Sequence, residues 1–396
     1  MLNPLYATVI AIVLLFTLLY YKVSLAVALL TASFVLAVLT LNPADIPLAY
    51  YQTAIRPINM DVILASAIIA VMANLYRKSG IITKLSNAIM AVLKKTWIAI
   101  TIIPAIFGFL PVPGGALMSA PLVLEISNKT SLDQSKAAYI NVWFRHLIAP
   151  IYPLTQIVIL TAALSGFDVV QIALYDLPLA LVMYVVGFIP IYKDLRNKSV
   201  SMVSEPRSTL LFMLPLIISV FIVVLGVNVV LSTLIGLLTL VLLVRPKASV
   251  LTESIFNKDV YMVLITSYAA LSVREVLVLS KFPEIFVSLF SGSPSTLLAM
   301  SIILVSAVLG FMLGIPTGAL AVTVPLIASI VSDVRLVSLT LVITYLGYMI
   351  SPSHLCLVLT IKFFKTHLSS IYRYLLPSTA ATLVLTMALY FLILTI

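Results

Sequence analysis

Gly108-Phe-Leu-Pro-Val-Pro-Gly-Gly-Ala-Leu117 returns later in the chain as Gly310-Phe-Met-Leu-Gly-Ile-Pro-Thr-Gly-Ala-Leu320. Pro113 then falls on Pro316, and Gly115-Ala-Leu117 on Gly318-Ala-Leu320, an offset of 203. A second pair, Ile148-Ala-Pro-Ile-Tyr-Pro-Leu-Thr155 and Ile350-Ser-Pro-Ser-His-Leu-Cys-Leu357, repeats the shift at 202. The apolar segments obey it too: 5 to 20 with 208 to 224, 23 to 41 with 229 to 244, 62 to 76 with 260 to 273, 136 to 163 with 336 to 361, and 171 to 192 with 374 to 396. Motifs and segments sharing one offset define a duplicated unit of about 200 residues. The polar stretch 193 to 207 joins the two copies.

Composition says where such a chain lives. Of 396 residues, 62% are hydrophobic and 9% charged, against roughly 45–50% and 25% in a soluble domain. That total holds about twelve apolar segments of some 20 residues, so the chain reads as an all-α, polytopic membrane protein. The net charge of +10 then reports loop topology and argues against a nucleic-acid partner. A single cysteine, Cys356, forms no intramolecular disulfide and argues against a thiolate metal cluster. His146, His354 and His367 are too dispersed for a local metal signature, and HExxH, GxGxxG and P-loop patterns do not occur. No enzyme is expected, and no cofactor beyond a coupling Na⁺ or H⁺. The opening run, Met1 to Tyr21, lacks a basic start and a cleavage site and reads as the first span.

Each unit contains three spans, a short apolar run ending at the Pro/Gly motif, a second short run, and two more spans. Residues 97–111 and 116–127 are each short for a crossing, and Pro111, Pro113, Gly114 and Gly115 forbid one continuous helix between them. A re-entrant hairpin follows, and 298–313 with 318–331 predict another. Ten spans and two hairpins result. Five crossings per unit make the second copy enter the membrane upside down, an inverted repeat. The expected organisation is a first repeat over 1–200, with scaffold spans in 1–95 and the cytoplasmic-side hairpin and broken helix in 96–192. The second repeat covers 201–396, with scaffold in 208–290 and the outside-opening hairpin and broken helix in 295–396. The third and eighth spans read as short, each followed by an amphipathic interfacial stretch, 81–95 and 276–290, with Pro283 breaking or restarting the latter.

Basic residues test this count. One side of the membrane receives 18 of the 23 Lys and Arg and the other receives four, Arg56, Arg274, Lys281 and Arg335, with Arg145 inside a span. The 18-residue side is therefore cytoplasmic and both termini face outward, in a cell (plasma) membrane.

Four breaks are expected to meet at the centre: the tips 111–115 and 314–318, and the interruptions 149–153 and 351–354. Half-helix N-termini there suit an anion, and loop carbonyls suit Na⁺. Candidate substrate-binding residues are Pro113, Gly114, Gly115, Thr155, Gln156, Pro316, Thr317, Gly318, Ser351, Ser353, His354 and Arg145. The backbone of Pro113, Gly114, Ile315 and Thr317 is the candidate Na⁺ site, and His354 and His146 are the proton-coupling candidates. Ser119 and Thr323 are expected to bond carbonyls of their own helices. Glu125 and the pair Arg274–Glu275 read as interfacial. The function that follows is secondary transport of a small anionic solute. The alternative is a flippase for an anionic lipid carrier, which would need a groove open to lipid.

With the Pro-Val-Pro-Gly-Gly-Ala and Ile-Pro-Thr-Gly-Ala tips, this architecture resembles the ion-transporter superfamily over nearly the whole chain. Divalent-anion/sodium symporters and gluconate-type permeases are among its members, and the likeness looks closest to an archaeal and bacterial integral-membrane branch. The resemblance implies a homodimeric elevator in which hairpins and broken helices move against the scaffold. Pro113-Gly114-Gly115 and Pro316-Thr317-Gly318 stand where the dicarboxylate branch carries Ser-Asn-Thr signatures.

Overall fold

The computed structural model describes residues 2–92, 95–109, 115–196, 206–289 and 295–395, and among these every regular element is helical. The first copy runs α1 (Pro4–Tyr20), α2 (Leu25–Thr40), α3 (Asp45–Ile55), α4 (Pro57–Lys78), α5 (Ile81–Val92), α6 (Thr96–Gly108), α7 (Ala116–Thr130), α8 (Gln134–Arg145), α9 (Gln156–Ser165) and α10 (Val169–Phe188). A single turn, α11 (Tyr192–Leu195), precedes the joining segment. The second copy opens with a 3-10 turn at Arg207–Met213 and continues with α12 (Leu214–Val224), α13 (Val229–Val244), α14 (Ala248–Ile255), α15 (Lys258–Leu279) and α16 (Phe282–Leu289). It ends with α17 (Ser295–Leu313), α18 (Pro316–Ile330), α19 (Val334–Met349), α20 (Leu355–Phe363) and α21 (Leu368–Thr395).

The described helices of the second half follow the order of those in the first, and local chemistry fixes where several of them start. Asn3 and Asn228 cap α1 and α13, accepting from Leu5 N at 2.9 Å and from Val230 N at 2.8 Å. Asp133 and Asp333 cap the equivalent helices α8 and α19. Proline stands at the start of α4 and of α18, where its missing N–H costs nothing.

Helices Pro57–Lys78, Val169–Phe188 and the stretch Ala248–Leu279 are long and apolar enough to cross a membrane, while nine described apolar helices have 10–17 residues. Two expectations need correction here. The third and eighth spans are not short: α4 and α15 each have 22 residues, because Arg77–Lys78 and Lys258–Asp259 extend the helices beyond their apolar stretches. The stretch 276–290 is not one interfacial element either. α15 runs on to Leu279, the chain turns at Lys281 with φ of 56°, and α16 starts at Phe282 with Pro283 in its first turn. Short helices α3 and α14, before α4 and α15, have no counterpart in the sequence reading.

Packing partners exchange between the copies. α2 lies against α15, and α13 against α4; α10 packs on α19, and α21 on α8. The hairpin arms α6 and α7 pack on α8, with α7 also on α20, while α17 and α18 pack on α19, with α18 also on α9. Each hairpin is thus held by the broken helix of its own copy and the half-helix of the other. Glycine permits the closest of these approaches. A Cβ on Gly108 would strike the carbonyl of Arg145, and one on Gly310 would strike that of Thr344.

Candidate functional site

Ending a helix inside an apolar bundle frees carbonyls that must be satisfied. At the first interruption α8 stops at Arg145, with His146 at the C-cap, and α9 starts after Thr155. Tyr345 OH donates to His146 O at 3.1 Å, Thr155 Oγ1 to Ala149 O at 2.7 Å, and an Arg145 guanidinium N–H to Phe107 O at 2.8 Å. In the second interruption α19 stops at Met349 and His354 precedes α20; Tyr372 OH donates to Ile350 O at 2.7 Å. The interruptions meet through their histidines. The His146 and His354 rings stand edge-to-face, 4.6 Å between centroids at 86°, and Tyr348 lies 4.1 Å from His354 on centroids.

The second tip also reaches this junction. Gly314, at φ of 61°, lies so close to Ser351 and Ser353 that a Cβ would come within 3.0 Å of Ser351 Oγ. Thr317, Gly318 and Ser351 are buried, Ile315 and Pro316 half-buried, and Ser353 beside Pro352 is exposed. At the first tip Gly115 is buried at the start of α7, while Pro111, Pro113 and Gly114 lie outside the described residues.

Other expectations move. Arg145, expected inside a span, stands with His146 at the edge of the interruption, because α8 unwinds there. Gln156 does not face the tips but donates through Nε2 to Ser267 Oγ on α15 at 3.1 Å. Thr155 spends its hydroxyl on the carbonyls of Ala149 and Tyr152. Thr323 bonds Ala319 O in its own helix as expected, and Ser119 meets Ala116 O of its own helix at 3.4 Å while also donating across to Asn141 Oδ1 at 2.7 Å. Glu275 is buried, with its carboxylate 2.8 Å from Arg56. Dispersal in sequence did not keep the histidines apart either: His146, His354 and Cys356 place one donor atom each within 4.8 Å of one another.

Two buried residues escaped the sequence reading. Asn141 sits in α8 and joins three helices: Oδ1 accepts from Ser119, and Nδ2 donates to Ala116 O at 3.0 Å and to Thr360 Oγ1 at 3.1 Å. Asp176 lies fully buried in α10, its Oδ1 bonded by the hydroxyls of Ser338 and Tyr390, and its Oδ2 has no hydrogen-bond partner. An asparagine among the apolar residues of α8 and a lone acid inside an apolar 20-residue helix were visible signals. Asn141→Leu is expected to cost about 2 kcal/mol, because three polar partners lose a buried bond each. Adding Ser119→Ala should recover part of that loss, since one stranded hydroxyl disappears. Denaturant-induced unfolding in mixed micelles measures both, and a neutral Asn141→Leu would make the cluster unimportant for stability.

Compared with known proteins, the chain matches over residues 3–396 the family described as "Protein of unknown function (DUF401)". No curated protein matches it.

Proposed function

The chain belongs to the DUF401 family, and from that premise we propose that it is a secondary active transporter. In this reading ten spans and two hairpins form two oppositely inserted repeats. Scaffold helices α1–α5 and α12–α16 hold still, while hairpins and broken helices carry a small anionic solute across, coupled to Na⁺ or H⁺. The reciprocal packing of each hairpin with the other copy's half-helix carries the proposal. Such an exchange leaves two hairpins bracketing one junction, as two gates would.

Further observations support the reading. Among the described residues, the ion pairs between distant elements agree with the faces that the basic-residue count gives their Lys and Arg members. Arg77 pairs with Asp259, Lys78 with Glu253 and Lys136 with Asp194 on the cytoplasmic side, and Arg56 with Glu275 outside. The half-helices α9, α18 and α20 start near the junction, and their N–H groups favour an anion. The hairpin and half-helix elements meet the scaffold mainly at α4 and α15, through contacts such as Gln156 with Ser267.

A thermal-shift screen of small carboxylates, phosphate and sulfate, with and without Na⁺ and at two pH values, tests the proposal. At least one anion is expected to raise Tm saturably, by the amount that mass action gives, and to be taken up by proteoliposomes under a Na⁺ or pH gradient. An anion-insensitive protein that moves a fluorescent anionic lipid between leaflets would replace this reading with the flippase.

A further inference from the structure

The junction contains a donor set that solute transport does not require. We propose that His146, His354 and Cys356 bind one thiophilic closed-shell cation, of the Cu⁺ or Zn²⁺ class, where the two interruptions touch.

Geometry comes first. One ligand atom from each of the three residues falls within 4.8 Å of the other two, and all three residues are buried, at 6%, 0% and 8% relative exposure. Two imidazoles and one thiol form a set that borderline and soft d-block ions prefer, while Ca²⁺ and Mg²⁺ seek oxygen. The fold, not local spacing, builds it: His146 comes from the end of α8, and His354 and Cys356 from the start of α20.

Each histidine is already oriented as a ligand. His146 Nδ1 lies 2.6 Å from Val142 O, and His354 Nδ1 lies 3.3 Å from Met349 O. A carbonyl only accepts, so each Nδ1 carries the proton and each Nε2 keeps its lone pair for another partner. Backbone carbonyls holding the second ring nitrogen are the usual support behind metal-binding imidazoles. His354 Nε2 is buried with no hydrogen-bond partner. Buried polar atoms are rarely left so, and a cation would satisfy this one.

The neighbours limit how far the site can shift and what charge it accepts. Tyr348 packs 4.1 Å from the His354 ring and 5.8 Å from that of His146, and Tyr345 bonds the His146 carbonyl, so the rings are braced from two sides. Among the described residues, the charged group acting on both histidines is Arg145, whose guanidinium bonds Phe107 O on α6. A cation beside an arginine in a low-dielectric site is favoured when its own charge is small or offset. The Cys356 thiol provides that offset, because it gives up its proton on binding. Three donors and a neighbouring arginine favour Cu⁺, which becomes neutral with one thiolate, over Zn²⁺, which retains a charge and seeks a fourth ligand.

This inference stands apart from the transport reading, since an ion can bind a protein that moves nothing. The test uses purified full-length protein titrated anaerobically with Cu⁺ against a chromogenic Cu⁺ chelator, with Zn²⁺ in a parallel series. One Cu⁺ per chain should be retained, with X-ray absorption showing two nitrogen neighbours and one sulfur. Cys356→Ala should weaken retention by about a hundredfold or more, with the sulfur neighbour lost, and His354→Gln should weaken it similarly. Cys356→Ala removes only a sulfur from a small buried side chain; its thermal unfolding profile confirms the fold, and the absorption spectrum of the unaltered protein needs no variant. Binding of Zn²⁺ in preference to Cu⁺ through the same three residues would overturn the choice of Cu⁺ and keep the site. Substoichiometric binding, or equal binding by the unaltered chain and Cys356→Ala, would overturn the proposal.

Discussion

Gly310→Leu and Gly347→Leu are each expected to lower the unfolding free energy by about 3 kcal/mol, at the upper end of what overpacking costs. The reason lies in how α17 meets α19. A Cβ on Gly310 would strike the carbonyl of Thr344, and one on Gly347 the carbonyl of Ala307, with Phe311 N only 3.2 Å away. These obstacles are backbone atoms, so no side chain can swing aside, and the arm of the second hairpin must separate from the broken helix. Close approach through small residues is how apolar helices gain packing energy where lipid offers as much apolar contact as another helix does. Both glycines serve one interface, so the double substitution should cost less than the sum of the two. Denaturant titration in mixed micelles, followed by the fluorescence of Trp97 and Trp143, measures this. Variants unfolding within about 0.5 kcal/mol of the parent, as surface changes do, would mean that the two helices do not need this contact.

The other large effect is on movement. Joining Gln156→Cys to Ser267→Cys with a short bifunctional thiol reagent, in a Cys356→Ala background, is expected to cut solute flux at least tenfold. The native side chains touch at 3.1 Å and link half-helix α9 to scaffold helix α15. Binding of the same anion should stay within about tenfold, roughly 1.4 kcal/mol, because the tips and interruptions keep their mutual geometry. Crosslinking Lys78→Cys to Glu253→Cys provides the control: that ion pair lies wholly within the scaffold, so flux should persist. Full flux through the α9–α15 crosslink would exclude relative motion of these elements, and loss of binding would place part of the site on the scaffold.

Sequence legibility followed periodicity and backbone chemistry. The Pro/Gly motif located the second tip, since proline and glycine end helices wherever they sit, and that tip lies against the interruption at Ser351–Ser353. Lengths of α4 and α15 were misread because hydropathy stops at charge, whereas a helix continues through Arg77 and Lys78. Side-chain partners were the least legible. Gln156 turns toward Ser267, and Ser119 toward Asn141, because those contacts depend on how distant helices pack. The joining of His146 to His354 and Cys356 was beyond any local pattern for the same reason: the two histidines stand 208 positions apart.

Opposite insertion of the two copies is the central claim, and sidedness of equivalent positions measures it most directly. Single cysteines replace Lys22 after α1 and Lys84 in α5, and Leu225 after α12 and Lys281 before α16; all four positions are exposed. Each is placed in a Cys356→Ala background and treated with a membrane-impermeant maleimide in right-side-out and inside-out vesicles. Labelling of Lys22→Cys and Lys84→Cys only from the cytoplasmic side, and of Leu225→Cys and Lys281→Cys only from outside, is the result predicted. Labelling of all four from one side would contradict the inverted repeat and, with it, the two-gate transporter.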